Sequence, residues 1–173
     1  MSIIKYILVV VWSISSINAQ EYDTIIWQEG SKLTWEDFKG KPPLKDRAAA
    51  TTASGITYRY SASQVGGKME VDFRVSTYFY PQKSWYQPSL CDSVILGHEQ
   101  LHFDISELYA RKLKDRLNAR EYSKNIKAEV HKIYKEVVEE LNIFQNKYDS
   151  ETNFSRDKEK QNLWEIKIHK MLH

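Results

Sequence analysis

Cysteine is nearly absent: Cys91 is the only one in 173 residues. A single thiol closes no internal disulfide, so the fold must stand on packing. Cys91 has no basic neighbour in sequence and reads as a small buried apolar residue rather than a nucleophile. Prolines number four, Pro42-Pro43 and the pair Pro81 and Pro88, where they end one turn and bracket one loop. Charge of one sign is also lacking. The formal net charge is +2, and no block of like charges is long enough for a nucleic-acid arm or an acidic tail. Nucleic acid is therefore not an expected partner. Beyond residue 19 no segment is apolar enough to span a bilayer. There is no internal repeat and no low-complexity tract, and the length suits one domain.

What is present begins with an address. Lys5 precedes a short apolar run, Tyr6 to Trp12, and Ile17-Asn18-Ala19 offers small-residue cleavage chemistry. Residues 1–19 read as a secretory signal peptide, with Gln20 as the new N-terminus and residues 20–173 as the exported domain. The expected location is periplasmic or secreted, with no stable membrane span once the leader is removed.

Aromatic residues are abundant, with 11 Tyr, 6 Phe and 5 Trp, mostly before residue 90. That distribution predicts a sheet-rich first half. Thr34 with Asp37 reads as a capping box on a short helical turn, and Trp27, Trp35 and Phe38 as core. Ile56, Tyr58 and Tyr60 alternate with polar residues. Met69, Val71, Phe73, Val75, Thr77 and Phe79 do so more cleanly, and Gly66-Gly67 separates the two runs. This predicts a β-hairpin with one buried face.

From Ser89 or Asp92 the period changes to that of a helix, expected to run to about Asn118. A second helix follows, with Ser123 as candidate cap. Ile126, Val130, Ile133, Val137, Leu141, Phe144 and Tyr148 form its narrow apolar seam. A third, shorter helix is expected over Asp157 to Met171, with Leu163, Trp164, Ile166 and Ile168 partly buried. The fold class is α+β: an antiparallel hairpin packed on two long antiparallel helices, with a short C-terminal helix.

The segment from His98 to His102 reads HEQLH, an H-E-x-x-H pattern. On a helix, residues four apart lie only about 40° apart on one face, one turn displaced. Both imidazoles can then meet one Zn²⁺ at about 2.0–2.1 Å. Glu99, about 100° from His98, reaches a water beside the ion without binding the ion itself. Zinc acidifies water and polarises a carbonyl, and Glu99 serves as general base. Gly97 suggests a close backbone approach, since glycine within a helix costs about 1 kcal/mol relative to alanine. Asp104, Glu107 and Arg111 fall roughly opposite the histidines and read as a structural ion-pair cluster touching the N-terminal part. Tyr109 and Ser106 project towards the histidine side. His131, His169 and His173 read as surface residues.

The chain resembles a family of exported bacterial proteins of unknown function that are predicted to be zinc-dependent proteases. The resemblance covers residues 27–172. It rests on LTWEDFKGKPP, TASGITY, YFYPQKSW, HEQLHFDISELYAR, and YDSET followed by EKQNLWEIKI. It implies one metallopeptidase-like domain, an active-site helix carrying both histidines and Glu99, and a further metal ligand from downstream. In the family pattern a histidine follows YD-x-ET after one residue, and here Phe154 stands in its place. Glu151 is then the candidate third ligand, giving a His₂Glu site, and Asp149 a less natural one. The remaining alternative is a protein that keeps the fold without turnover.

The leading expectation is an exported zinc metallopeptidase acting on a peptide or protein segment in extended form. Its metal ligands would be His98, His102 and Glu151, its general base Glu99, with Tyr148 or Tyr109 available to steady an oxyanion. The rival, resting on Phe154, is an inactive relative that binds a partner or an envelope component through the same cleft.

Overall fold

Two antiparallel sheets come first in the chain and three helices follow, in a computed structural model that describes residues 23–44 and 48–173. The leader expected over residues 1–19 lies outside the described residues. The strands are β1 (Ile25–Ile26), β2 (Ala50–Thr51), β3 (Ser54–Val65), β4 (Lys68–Phe79) and β5 (Trp85–Tyr86). The helices are α1 (Ser93–Asn118), α2 (Ile126–Glu151) and α3 (Lys158–Leu172). The expected α+β class is the observed one.

The hairpin β3–β4 is closed by Gly66 and Gly67, whose φ angles are +56° and +83°. A two-residue turn of this kind needs a left-handed backbone at both positions, which glycine supplies without a Cβ clash. Its register pairs Ser54 with Phe79 and Val65 with Lys68. Ile56, Tyr58 and Tyr60 therefore stand opposite Thr77, Val75 and Phe73 on the face turned towards the helices. The two-residue β1 extends the sheet along β4, with Ile25 opposite Phe79. β2 and β5 make a separate two-stranded sheet, with Ala50 opposite Tyr86 and Thr51 opposite Trp85. The expected capping box is present: Asp37 Oδ2 accepts from the Thr34 backbone N–H at 2.7 Å, ahead of a 3₁₀ turn over Trp35–Asp37.

α1 follows Asp92, the later of the two expected starts. Asp92 Oδ1 accepts from the amides of Val94 and Ile95 at 2.9 and 3.0 Å, satisfying two of the helix's orphan donors. Its middle turns are enclosed on every side. Leu101, Ile105, Leu113 and Leu117 join the core shared with the hairpin and α2. Phe103 packs with Leu33, Phe38 and Phe79 in a second cluster under the N-terminal segment. Most buried polar side chains are hydrogen-bonded, and three on this helix find partners outside it. Gln100 Oε1 accepts from the Leu33 amide at 2.7 Å, Asp104 Oδ1 from the Trp27 indole at 2.8 Å, and Glu107 Oε2 from Thr77 at 2.9 Å. Arg111 pairs with Glu107 at 3.0 Å and lies over the Trp27 ring. The polar cluster expected opposite the histidines is thus what fastens α1 to the N-terminal segment.

α2 buries Ile126, Val130, Ile133, Val137, Leu141 and Tyr148 of its seam. The N-cap position falls to Asn125, without a side-chain cap bond, rather than to the expected Ser123, whose Oγ accepts from the Asn125 amide just outside. In α3 the inward stripe is Gln161, Trp164, Ile168 and Leu172. Leu163 and Ile166, expected to be partly buried, are exposed, because one stripe at three- and four-residue steps is all that a short helix turns to a single neighbour. No helix among the described residues is long and apolar enough to cross a membrane.

Candidate metal centre

His98 and His102 lie one turn apart on α1, and their Nε2 atoms stand 3.3 Å from each other. The third group comes from the last turn of α2. Asp149 Oδ1 lies 3.0 Å from His98 Nε2 and 2.9 Å from His102 Nε2. Among the described residues, this trio is the cluster of His, Cys, Asp or Glu close enough to hold a metal ion, with all three donor atoms within 4.8 Å of one another.

The downstream carboxylate is therefore Asp149 and not Glu151. Residues two apart on a helix diverge by about 200°, so the two acids cannot share a target. Phe144 and Glu151 share the flank of the α2 seam that faces α3. Phe144 packs edge-on against Trp164, and Glu151 Oε2 accepts from the Trp164 indole at 2.9 Å. Gln145 and Asp149 occupy the other flank, which faces the histidines. Gln145 Nε2 donates to the His102 carbonyl at 3.2 Å.

The end of α2 holds Asp149 in place by its backbone. The Phe154 amide donates to the Asp149 carbonyl at 2.8 Å, and the buried Thr152 hydroxyl donates to the Tyr148 carbonyl at 2.8 Å. The chain reverses there through three successive left-handed residues, Asn153, Phe154 and Ser155, with φ of 48°, 53° and 68°. Phe154 is left exposed at the mouth of the site.

Charge and burial work against each other within the trio. Burial alone would push the Asp149 carboxyl up, but hydrogen bonds and charge from His102 and His98 hold it well below the usual carboxylate range. Burial would lower the His102 pKa, but the hydrogen bond with Asp149 and the nearby Glu99 and Asp149 charges outweigh burial and raise it.

His98 is tied from behind. Its Nδ1 lies 3.0 Å from Gln161 Oε1, and its ring stacks on Tyr148 with centroids 4.5 Å apart. Tyr148 is fully buried and donates its hydroxyl to Gln161 Oε1 at 2.8 Å. Burial pushes that phenol well above its ordinary range. A hydroxyl committed in this way faces away from the cavity and is not offered to a substrate oxyanion. Tyr109 packs on Phe144, outside the cavity. Neither tyrosine matches the oxyanion role that the sequence suggested.

A cavity of about 710 Å³ opens onto the trio. Its polar lining includes His98, Glu99, His102, Gln145, Asp149 and Arg156, and its apolar lining includes Leu90, Ile95 and Phe154. Glu99 is 5% exposed, and its Oε2 is the buried side-chain polar atom among the described residues that has no hydrogen-bond partner. A buried acceptor without a partner costs about 1–3 kcal/mol, so the position is not explained by stability.

Other expectations resolve more simply. A Cβ built on Gly97 would meet Glu165 Oε1 at 3.4 Å, an ordinary contact with the end of a flexible side chain, so no tight approach requires glycine there. Cys91 is half-buried and donates to the Ala49 carbonyl at 3.2 Å, and burial raises its pKa, away from the thiolate form. His131 is exposed. His169 and His173 pack together, with His173 Nδ1 2.9 Å from Glu29, away from the trio.

No curated protein and no solved structure matches the chain. A family model does, over residues 35–156, an interval that takes in α1 with its two histidines and α2 with Asp149 and stops before α3. By that match, which covers most of its length, the chain belongs to the family described as "Bacterial protein of unknown function (DUF922)".

Proposed function

We propose that the protein is an exported zinc-dependent peptidase in which His98, His102 and Asp149 hold the ion and Glu99 carries the proton. The observation behind this reading is the convergence of two Nε2 atoms and one carboxylate oxygen, at 2.9–3.3 Å, beside a buried carboxylate oxygen that has no partner. Donors around a tetrahedral ion at about 2.0–2.1 Å stand about 3.3–3.4 Å apart, close to these separations. Two imidazoles and a carboxylate make a borderline-hard set suited to zinc, and three protein ligands leave a position open for substrate or water.

When bound, zinc supplies a Lewis acid that polarises a carbonyl and acidifies water. The remaining work belongs to the chain. Asp149 offsets positive charge and, through its capped backbone, fixes the distance between α2 and α1. Glu99, one residue from a ligand, accepts a proton from water and delivers it to the departing amine. Its missing partner is what such a role requires, since an oxygen already bonded within the protein could not take up a proton readily. The cavity beside it admits an extended peptide segment, with apolar side chains meeting Leu90, Ile95 and Phe154.

Purified protein is expected to contain close to one zinc per chain, and Glu99→Gln to keep the metal while abolishing hydrolysis of a peptide substrate. Failure to take up zinc, even when zinc is supplied, overturns the enzyme reading. Zinc uptake without turnover in the wild type favours the inactive, partner-binding alternative. That alternative rests on Phe154 standing in the place of the family histidine, and the proposed site takes its third donor from Asp149 instead.

A further inference from the structure

Gln161 sits on α3, beyond the interval matched by the family model, and is 3% exposed. Its side chain meets three partners. Nε2 lies 3.0 Å from Glu165 Oε1, while Oε1 lies 2.8 Å from the Tyr148 hydroxyl and 3.0 Å from His98 Nδ1. Which end of an amide is oxygen follows from its network, and here the network decides. A carboxylate only accepts, so the end facing Glu165 must be the NH₂ group. The other end is then the carbonyl oxygen, and it can only accept. His98 must therefore carry a hydrogen on Nδ1, whether its ring is neutral or cationic. In the neutral ring this leaves the Nε2 lone pair free, and Nε2 is the atom that points at Asp149 and His102.

We propose that Gln161 is the positioning residue of the metal centre, setting the tautomer and ring plane of His98 so that Nε2 presents its lone pair to the ion. Glu165 aligns the amide, and Tyr148 braces the ring from its stacked face. The proposal rests on the zinc-site reading, but only for its affinity readout. Partners behind a ligating histidine raise its basicity and fix its orientation, and their loss typically weakens metal binding about 10–100-fold. Nothing in the Gln161 segment announces this from sequence, since a lone glutamine on a short helix has no spacing signature.

The test uses the full chain, stripped with a chelator and titrated with zinc against a chromophoric competitor. Gln161→Leu is expected to weaken zinc binding about 10–100-fold. Tyr148→Phe keeps the Gln161–His98 bond and is expected to bind zinc within a few-fold of wild type. The exchanged pair Gln161→Glu with Glu165→Gln restores an acceptor facing His98 and a donor facing it, and is expected to recover most of the affinity. It also covers the case in which Gln161→Leu fails to fold. In the metal-free protein, the His98 Nδ1–H resonance is expected in wild type and in the exchanged pair, and is lost in Gln161→Leu. A wild type that takes up no zinc sinks the proposed function and leaves this resonance to decide the role of Gln161. The proposal is overturned if Gln161→Leu keeps both wild-type affinity and the resonance, if Tyr148→Phe is as damaging as Gln161→Leu, or if the exchanged pair folds but recovers nothing.

Discussion

Asp149 Oδ1 lies 2.9 Å from His102 Nε2, across 47 residues of chain, while Glu151 on the next face of the same helix turns its carboxylate to the Trp164 indole. The two acids therefore separate by experiment. On the proposed zinc-site reading, Asp149→Ala is expected to lower zinc affinity at least 100-fold, since it would remove a ligand rather than a supporting group. Glu151→Ala should leave zinc binding unchanged and cost about 0.5–1.5 kcal/mol through loss of the acceptor for the Trp164 indole. Equal zinc affinities for the two variants would show that the carboxylate geometry is wrong.

The orphaned oxygen of Glu99 makes a stability prediction of its own. Glu99→Leu removes a buried acceptor without a partner and is expected to raise metal-free stability by about 1 kcal/mol or more. Chemical denaturation of chelator-treated protein measures it. A destabilised variant would mean that Glu99 makes a contact worth keeping for the fold.

Phe154 holds φ = 53°, a conformation that is costly for a bulky side chain. Phe154→Asn, with a residue that tolerates the left-handed region, is expected to stabilise by about 0.5–1 kcal/mol. The Phe154 ring is exposed, so little packing is lost. A fall in the melting temperature would argue that the ring packs more than its exposure suggests.

Glu140 supplies a pH dependence. It accepts from Arg116 at 2.8 and 3.0 Å and pairs with Lys112 at 2.7 Å, and these contacts hold its pKa below the ordinary 4.5. A depressed folded-state pKa gives stability that is present above the unfolded value and lost as pH falls through the folded one. The pair is half-exposed, so the contribution is about 0.5–1 kcal/mol. The difference between wild type and Glu140→Gln should be constant from neutral pH to about 5.5 and shrink below about 4.5. A difference that grows on acidification would contradict the assignment.

Much of the fold was legible because local periodicity carried it. Alternation around Gly66-Gly67 marked the hairpin, and the seam from Ile126 to Tyr148 marked α2. The strands β1, β2 and β5 left no such trace. Two residues are too few for a period, and they are strands only because distant partners pair with them. The enclosure of α1 was hidden for a related reason. Gln100 looks like a solvent residue until the Leu33 amide arrives to bond it.

At the site, the spacing of His98 and His102 is a property of one helix and could be read directly. The choice between Asp149 and Glu151 depends on which flank of the α2 seam faces α1, and a symmetric seam does not say. The partner of His98 comes from a third helix altogether.

The donors reside on two separate helices, so the disordered polymer possesses no preformed cage. On the proposed reading, capture of an ion would wait until α2 has docked against α1. Occupancy would then double as a certificate of correct assembly, and stripping the ion would loosen the junction between those helices before anything else.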